Sequence, residues 1–442
     1  MTSIGEIGQA IKSVLSVVGD KVARETGFTK RESKLTGSKF AQAVVLGWLN
    51  KPEATLDELS QAAAAVGVTI SAQGLDQRFS PEAAALLGQV LNAALSQIIA
   101  ADPVAIPLLQ RFNGVIVQDS SIISLPDALV QVWQGCGGSD GHHVSALKLQ
   151  VRFDLLTGTL QGPLLEPGRA NDRGSVLQAA TLLPGALRIA DLGYFSLDQL
   201  RAFDAGGAYF LTRFYLQTAI FDSERVPKAP LALSILLEAA LAGQVDLPVC
   251  IGTEEHLPVR LLAVRLPQEV ADQRRRKLRQ EARDKGETPS QVRLTYADWT
   301  ILVTNLPNDK LSLSETMVLV RVRWQIELLF KLWKSHGKVD EWRTENPWRI
   351  LCETYAKLTA MIIQHWLFLV GCWLYPNRSL VKAAQIVRSY APMLVRLRRV
   401  GLIDIAVPIE QIQRCLAAGA RLNRRRKQPN TYQLLLSLPE VA

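Results

Sequence analysis

Apolar and polar positions change rhythm three times along the chain, and each change predicts a different kind of structure. Up to about residue 105 the apolar residues recur at helical spacing in Ala- and Leu-rich segments, Phe40–Leu49, Leu56–Val66 and Pro81–Ala101, without β-branched alternation. From Phe112 the period shortens. Gly114–Asp119 and Ala186–Asp191 are short apolar runs that each close on an acid. Ala146–Asp154 alternates at period two, and Thr159–Leu165 continues the meander after a turn at Leu156–Gly158. Helical stretches at Ser175–Leu183 and Leu197–Phe203, and a further strand at Ala208–Phe214, complete a mixed α/β sheet.

The second change comes near residue 225, and the third is the return to helical spacing after the insertion. A helix (Leu231–Ala242), two apolar strands (Leu247–Ile251 and Leu257–Val264), a charged solvated helix (Gln268–Lys285) and a return through Gln291–Asn305 read as a β-rich insertion. Helices near Arg349–Tyr375, Ser379–Val400 and Ile409–Ala420 follow, before a basic tail at Arg421–Lys427. The chain thus divides into a helical N-terminal domain over 1–105, an α/β core over 106–225 and 306–376, an insertion over 226–305 and a helical C-terminal region over 377–442.

Between insertion and C-terminal region lies Met317–His336, read as one amphipathic helix without Gly or Pro. Arg323, Glu327, Lys331 and Lys334 stand at i, i+4, i+8 and i+11 and share a face. Trp324, Leu328 and Leu332, with Ile326, Leu329 and Trp333, supply apolar surface for burial. One reading is a salt-bridged solvent face, each pair worth ~0.3–0.5 kcal/mol. The other is a metal-binding carboxylate within a phosphate-binding strip, which requires partner acids. Asp119 and Asp191 are such acids: each follows a core strand, where ligands bind in open α/β sheets. As loop acids they would merely cap the following turns. Three converging carboxylates can hold a pair of divalent ions for phosphodiester exchange. Their hard oxygens favour Mg²⁺ or Mn²⁺, and Arg323, Lys331 and Lys334 would neutralise neighbouring phosphates.

Composition sharpens this picture. With 50 Lys and Arg against 41 Asp and Glu the net charge is +9, which favours a polyanionic partner. The excess gathers at Arg274–Arg279, at Arg421–Lys427 and, more loosely, from Arg24 to Lys39. Five scattered cysteines show neither a disulfide framework nor zinc-ligand spacing and suit a reducing cytoplasm. The adjacent His142 and His143 read as loop residues. The N-terminus lacks a signal-peptide profile, and the apolar run Met361–Tyr375 is too short to span a bilayer. In the N-terminal region, Leu56–Gly67 followed by Val68–Arg78 fits a helix-turn-helix, with Ser71 as N-cap and Ser71, Gln73, Gln77 and Arg78 exposed to read DNA. An ordinary helical hairpin with a Gly turn fits equally. No phosphate-binding GxxxxGK[ST] run is present.

The order Asp119, Asp191, Glu327, with an insertion before the Glu, resembles the DDE transposases, whose catalytic core is RNase H-like. Arg323-x3-Glu327-x6-Lys334 matches the Tyr-x2-Arg-x3-Glu-x6-Lys signature of the IS-four family of insertion sequences. The segments Asp119-Ser-Ser-Ile-Ile-Ser-Leu-Pro, Asp191-Leu-Gly-Tyr-Phe-Ser and Trp299-Thr-Ile-Leu-Val-Thr-Asn-Leu-Pro are similar to that family's segments around its first two acids and its closing insertion strand. The signature Tyr falls at Val320, so one phosphate contact is lost or supplied elsewhere.

The resemblance covers roughly Phe112 to Lys334. It implies cut-and-paste transposition, with Asp119, Asp191 and Glu327 holding two Mg²⁺ (or Mn²⁺) ions and Arg323, Lys331 and Lys334 positioning the strand. Trp299 would stack on a base flipped from the transposon end, or serve as a core Trp; Arg213 would contact backbone or lie free at the surface. A homodimer would pair two terminal inverted repeats and cut in trans, on nucleoid DNA in a prokaryotic cytoplasm. A nuclease without strand transfer, or a silent repressor that only binds DNA, are the alternatives.

Overall fold

The computed structural model describes the chain except residues 1, 32, 138–143, 224–229, 255, 396–404, 426, 428 and 439–442. His142 and His143 therefore lie outside the described residues, as do the last residues of the helix expected over Ser379–Val400.

Among the described residues nine strands form the sheet: β1 Val115–Leu125, β2 Ser145–Asp154, β3 Leu160–Pro167, β4 Leu187–Ala190, β5 Tyr209–Arg213, β6 Ile220–Asp222, β7 Gln244–Ile251, β8 Leu257–Arg265 and β9 Trp299–Thr304. Their order is β3-β2-β1-β4-β5-β9-β8-β7-β6. The β1–β4 and β4–β5 pairs are parallel, and the pairs β2–β3, β5–β9, β8–β9, β7–β8 and β6–β7 are antiparallel. This is the mixed α/β sheet that the alternating rhythm predicts, and it is consistent with an RNase H-like fold. All four positions of β4 are buried, as for a strand covered on both faces.

Three local readings change. β1 does not stop at Asp119 but runs on to Leu125. Ile123 and Leu125 are buried while Ile122 and Ser124 face out, so period-two alternation resumes beyond the polar Asp119-Ser-Ser121 step. Gln291–Asn305 splits into a short helix, Gln291–Tyr296, N-capped by Ser290, and β9. β6, three residues long, is too short to register as a period.

Contacts group the described residues into two compact units. The first takes the chain up to Gln110, Asp119–Ala170 and Trp324–Ser437; the second is chiefly Arg111–Gln118 and Asn171–Arg323. In the first, helix Leu56–Ala65 begins at a capping box: Thr55 and Glu58 satisfy each other's backbone N–H groups at 3.4 and 2.8 Å. It ends before Gly67, whose φ of +83° suits a residue without Cβ. Ser71 then caps helix Ala72–Asp76. That second helix has only five residues, little more than a turn. Helices Gly37–Asn50 and Pro81–Leu95 pack on Pro347–Gly371, the unit's spine, whose residues are almost all buried. Among the described residues no helix is long and apolar enough to cross a membrane, and all five cysteines are free thiols.

The second unit is built on β4 to β9. Its core joins Phe195, Phe203, Phe210, Phe214, Leu261 and Trp299 with the inward residues of β7 and β8. Helix Gln268–Asp284 borders it, with only Ala271 and Ala282 buried, as its charged sequence predicts.

Candidate active site

The β1–β4 ladder runs in register from Val115 opposite Leu187 to Gln118 opposite Ala190. The next residue along each strand is an acid, Asp119 on one and Asp191 on the other. Parallel pairing of two apolar runs therefore delivers both carboxylates to the same end of the sheet, the end where α/β sheets present ligands. Asp191 opens the 3-10 turn Leu192–Tyr194, and its carbonyl accepts the Tyr194 N–H at 3.0 Å. The Asp191 carboxylate does not cap that turn. It lies half-exposed with Oδ1 4.0 Å from Nε of Arg213, the exposed last residue of β5. Asp119 Oδ1 accepts the Ser120 N–H at 2.9 Å.

The stretch read as one helix over Met317–His336 is helical but not uniform. An α-helix over Leu313–Leu319 tightens to a 3-10 turn at Val320–Arg323, resumes as α over Trp324–Lys331 and widens to a π-turn over Leu332–His336. β-branched Val318, Val320 and Val322 crowd the first junction. The buried face is Val322, Ile326, Leu329, Phe330, Leu332 and Trp333. Trp324 and Leu328, expected in the core, are exposed instead, because the buried stripe follows positions 322, 326, 329 and 333. Arg323, Glu327 and Lys334 are partly exposed and Lys331 is exposed.

The 3-10 turn that carries Arg323 packs against β4, the strand leading to Asp191. Lys334 Nζ donates to the Ile122 carbonyl at 2.6 Å, on the extension of β1 just past Asp119. Arg78 is half-exposed two residues past the helix Ala72–Asp76, and Ser71, Gln73 and Gln77 are exposed.

Trp299 opens β9 with its side chain buried in the second unit's core. The Arg265 guanidinium lies 6.0 Å from its ring centre, so a base could stack there only after the ring is uncovered. Arg274 Nη1 donates to the Trp299 carbonyl at 3.1 Å. Burial, and then the charge of Arg213, lowers the Arg274 pKa. Sequence reasoning placed Arg274 in a solvated run. It missed Arg188 as well, although a charged residue inside a four-residue apolar strand was the available signal.

Asp119 and Asp191 each follow the last paired residue of a strand, and Glu327 lies on the helix Trp324–Lys331; carboxylate oxygens are the donor type that a hard divalent cation takes. Among the described residues no three His, Cys, Asp or Glu side chains are close enough together to form a metal cage.

The Transposase DDE domain family matches residues 110–363, a span that holds all three acids. The transposase for insertion sequence element IS231E of Bacillus thuringiensis subsp. finitimus is 28% identical over 383 residues, covering 82% of this chain and 78% of its own. That for IS231C of Bacillus thuringiensis subsp. berliner is 30% identical over 365 residues, 78% of this chain and 75% of its own. That for IS1151 of Clostridium perfringens is 26% identical over 368 residues, 78% and 76% of the two chains. With the family's domain spanning more than half its length, this chain belongs to the DDE transposases, among those of IS-four type.

Proposed function

We propose that this transposase excises an insertion sequence at its terminal inverted repeats and joins it to target DNA, with Asp119, Asp191 and Glu327 holding two Mg²⁺ (or Mn²⁺) ions. The observation that carries the reading is the β1–β4 register, which puts an acid directly after the last paired residue of both strands. When bound, the ions would supply Lewis-acid stabilisation of the attacking and leaving oxygens of a phosphodiester. The protein's own part is to hold DNA against them. Arg213 and Arg323 grip phosphates beside Asp191, one from the end of β5 and one from the turn packed on β4. Lys331 and Lys334 extend the strip, Lys334 exchanging the Ile122 carbonyl for a phosphate oxygen as DNA enters. Trp299 stacks on a base only if strand distortion lifts Arg265 from its ring. The N-terminal helices, through Arg78 and its exposed neighbours, bind the inverted repeats. Two copies pair the two ends, with the C-terminal helices as their contact, and cleavage occurs in trans on nucleoid DNA.

Incubating the protein with repeat-ended DNA, a target plasmid and Mg²⁺ tests this. Joined products with transposon 3′ ends covalently linked to target are expected. Cleaved ends without joining would mean a nuclease, and bound but intact DNA a repressor.

Val320 gives a second test. It is part-exposed in the 3-10 turn, one turn before Arg323, where the family's signature carries Tyr. Val320→Tyr is expected to tighten end binding by about fivefold, the value of one added hydrogen bond of ~1 kcal/mol to the backbone. Gel-shift titration with end DNA reads this directly, and unchanged affinity would show that another group already fills the role.

A further inference from the structure

Arg188 is the second residue of β4 and is buried between apolar neighbours, Leu187 and Ile189. Its guanidinium is held by directional bonds. Nε donates to Gln118 Oε1 at 3.2 Å, and Nη2 donates to Gln178 Oε1. Gln178 passes the connection on, its Nε2 donating to the Tyr194 carbonyl at 3.0 Å. The rings of Tyr194 and Phe203 flank the guanidinium carbon at 5.7 and 5.3 Å. Arg188, Gln118 and Gln178 are each no more than 2% exposed.

Desolvating a guanidinium is costly, and a Leu or Val would fill a core strand without that cost. What the polar set gains is location. Gln118 directly precedes Asp119, Arg188 lies three residues before Asp191, and Tyr194 lies three after it. The β1–β4 register ends at Gln118 opposite Ala190, so the acids stand just beyond the last rung of the ladder. Directly behind them, one side-chain network links β1, β4 and the turn that leaves Asp191.

Resting on the function proposed above, we propose that Arg188 is a positioning residue which, with Gln178, braces the strand ends carrying Asp119 and Asp191 so that the two carboxylates take up metal together. Arg188 touches neither metal nor DNA in this role. It acts through Gln118 and through the turn at Tyr194.

The test uses the full-length protein in four variants, Gln178→Met, Gln178→Glu, Arg188→Met and Asp191→Asn. Two readouts are taken: the rise in melting temperature on titrating Mn²⁺ without DNA, and the Mn²⁺ concentration that gives half-maximal end cleavage. Gln178→Met and Arg188→Met are expected to shift both midpoints upward by about 10–100-fold, the usual cost of losing a partner behind a metal ligand. Affinity for end DNA in metal-free buffer should not change. Gln178→Glu keeps an acceptor for Arg188 Nη2 but loses the Nε2 donor to the Tyr194 carbonyl, so it should lie between wild type and Gln178→Met. Should Arg188→Met fail to fold, the Gln178 pair carries the comparison. Unchanged Mn²⁺ midpoints in Gln178→Met, with the response abolished in Asp191→Asn, would overturn the bracing role and leave the acids' assignment standing. An unchanged Mn²⁺ response in Asp191→Asn would overturn both. Equal shifts in the two Gln178 variants would overturn the part assigned to the Arg188–Gln178 contact and leave the Gln178–Tyr194 bond as the brace.

Discussion

Asp191→Asn is expected to abolish end cleavage and strand transfer while leaving the fold and end binding in place. The substitution keeps the side chain's size and one acceptor oxygen but removes the charge that a divalent ion requires. The fold should tolerate it, because the carboxylate caps nothing in the turn it begins and is half-exposed. The loss should exceed the ~10–100-fold that follows removal of a partner behind a ligand. A drop of at least ~10³-fold is expected, about 4 kcal/mol of transition-state stabilisation. End binding should hold or tighten slightly, since Arg213, now 4.0 Å from a carboxylate, would be released toward phosphate. Quantified cleavage and joining products at saturating DNA separate these effects. Residual cleavage within tenfold of wild type would remove Asp191 from the chemistry.

Much of where the candidate site residues lie could be read from residue order, because the features that place them are local. A four- to five-residue apolar run that closes on an acid is a short-range pattern, and β4 with Asp191 follows it closely. The spacing of Arg323, Glu327, Lys331 and Lys334 is equally local, and these residues do lie on the partly exposed side of their element. What stayed hidden depends on partners distant in sequence. The extension of β1 past Asp119 buries Ile123 and Leu125, although polar Asp119–Ser121 suggest a stop. The exposure of Trp324 follows from a change of helical period at Arg323, which composition does not announce. Trp299 could not be assigned between base stacking and core from one strand, and its burial comes from β7, β8 and the Phe cluster. The Arg188 network joins residues 70 positions apart, so neither Gln118 nor Gln178 carries a signal alone.

The same logic gives the largest expected effect on stability, Lys357→Met. Lys357 and Glu353 form a buried pair on the long Pro347–Gly371 helix, Nζ to Oε1 at 2.7 Å, with side chains 2% and 7% exposed. Lys357 Nζ also donates to the carbonyls of Lys338 and Glu341, each at 2.8 Å, which fastens the segment leaving the π-turn of Lys334 to the unit's spine. Burial raises the Glu353 pKa despite the opposing Lys357 charge, and burial lowers that of Lys357. Removing the cation leaves a desolvated carboxylate and two carbonyls without their donor, at a cost of about 3–5 kcal/mol. The pH dependence should have a definite sign. An acid whose folded pKa lies above its ordinary value makes the fold more stable when protonated, and that advantage is lost as pH rises through the folded pKa. Without Lys357 the Glu353 pKa climbs further, so Lys357→Met should regain stability as pH falls from neutral toward the ordinary carboxylate range. Adding Glu353→Leu should recover most of the loss at neutral pH, because an apolar pair carries no charge to desolvate. Urea unfolding of the single and double variants at two pH values measures each step. A single variant as stable as the double, with no pH dependence beyond wild type, would mean that water already solvates Glu353 and that the pair does not hold the spine.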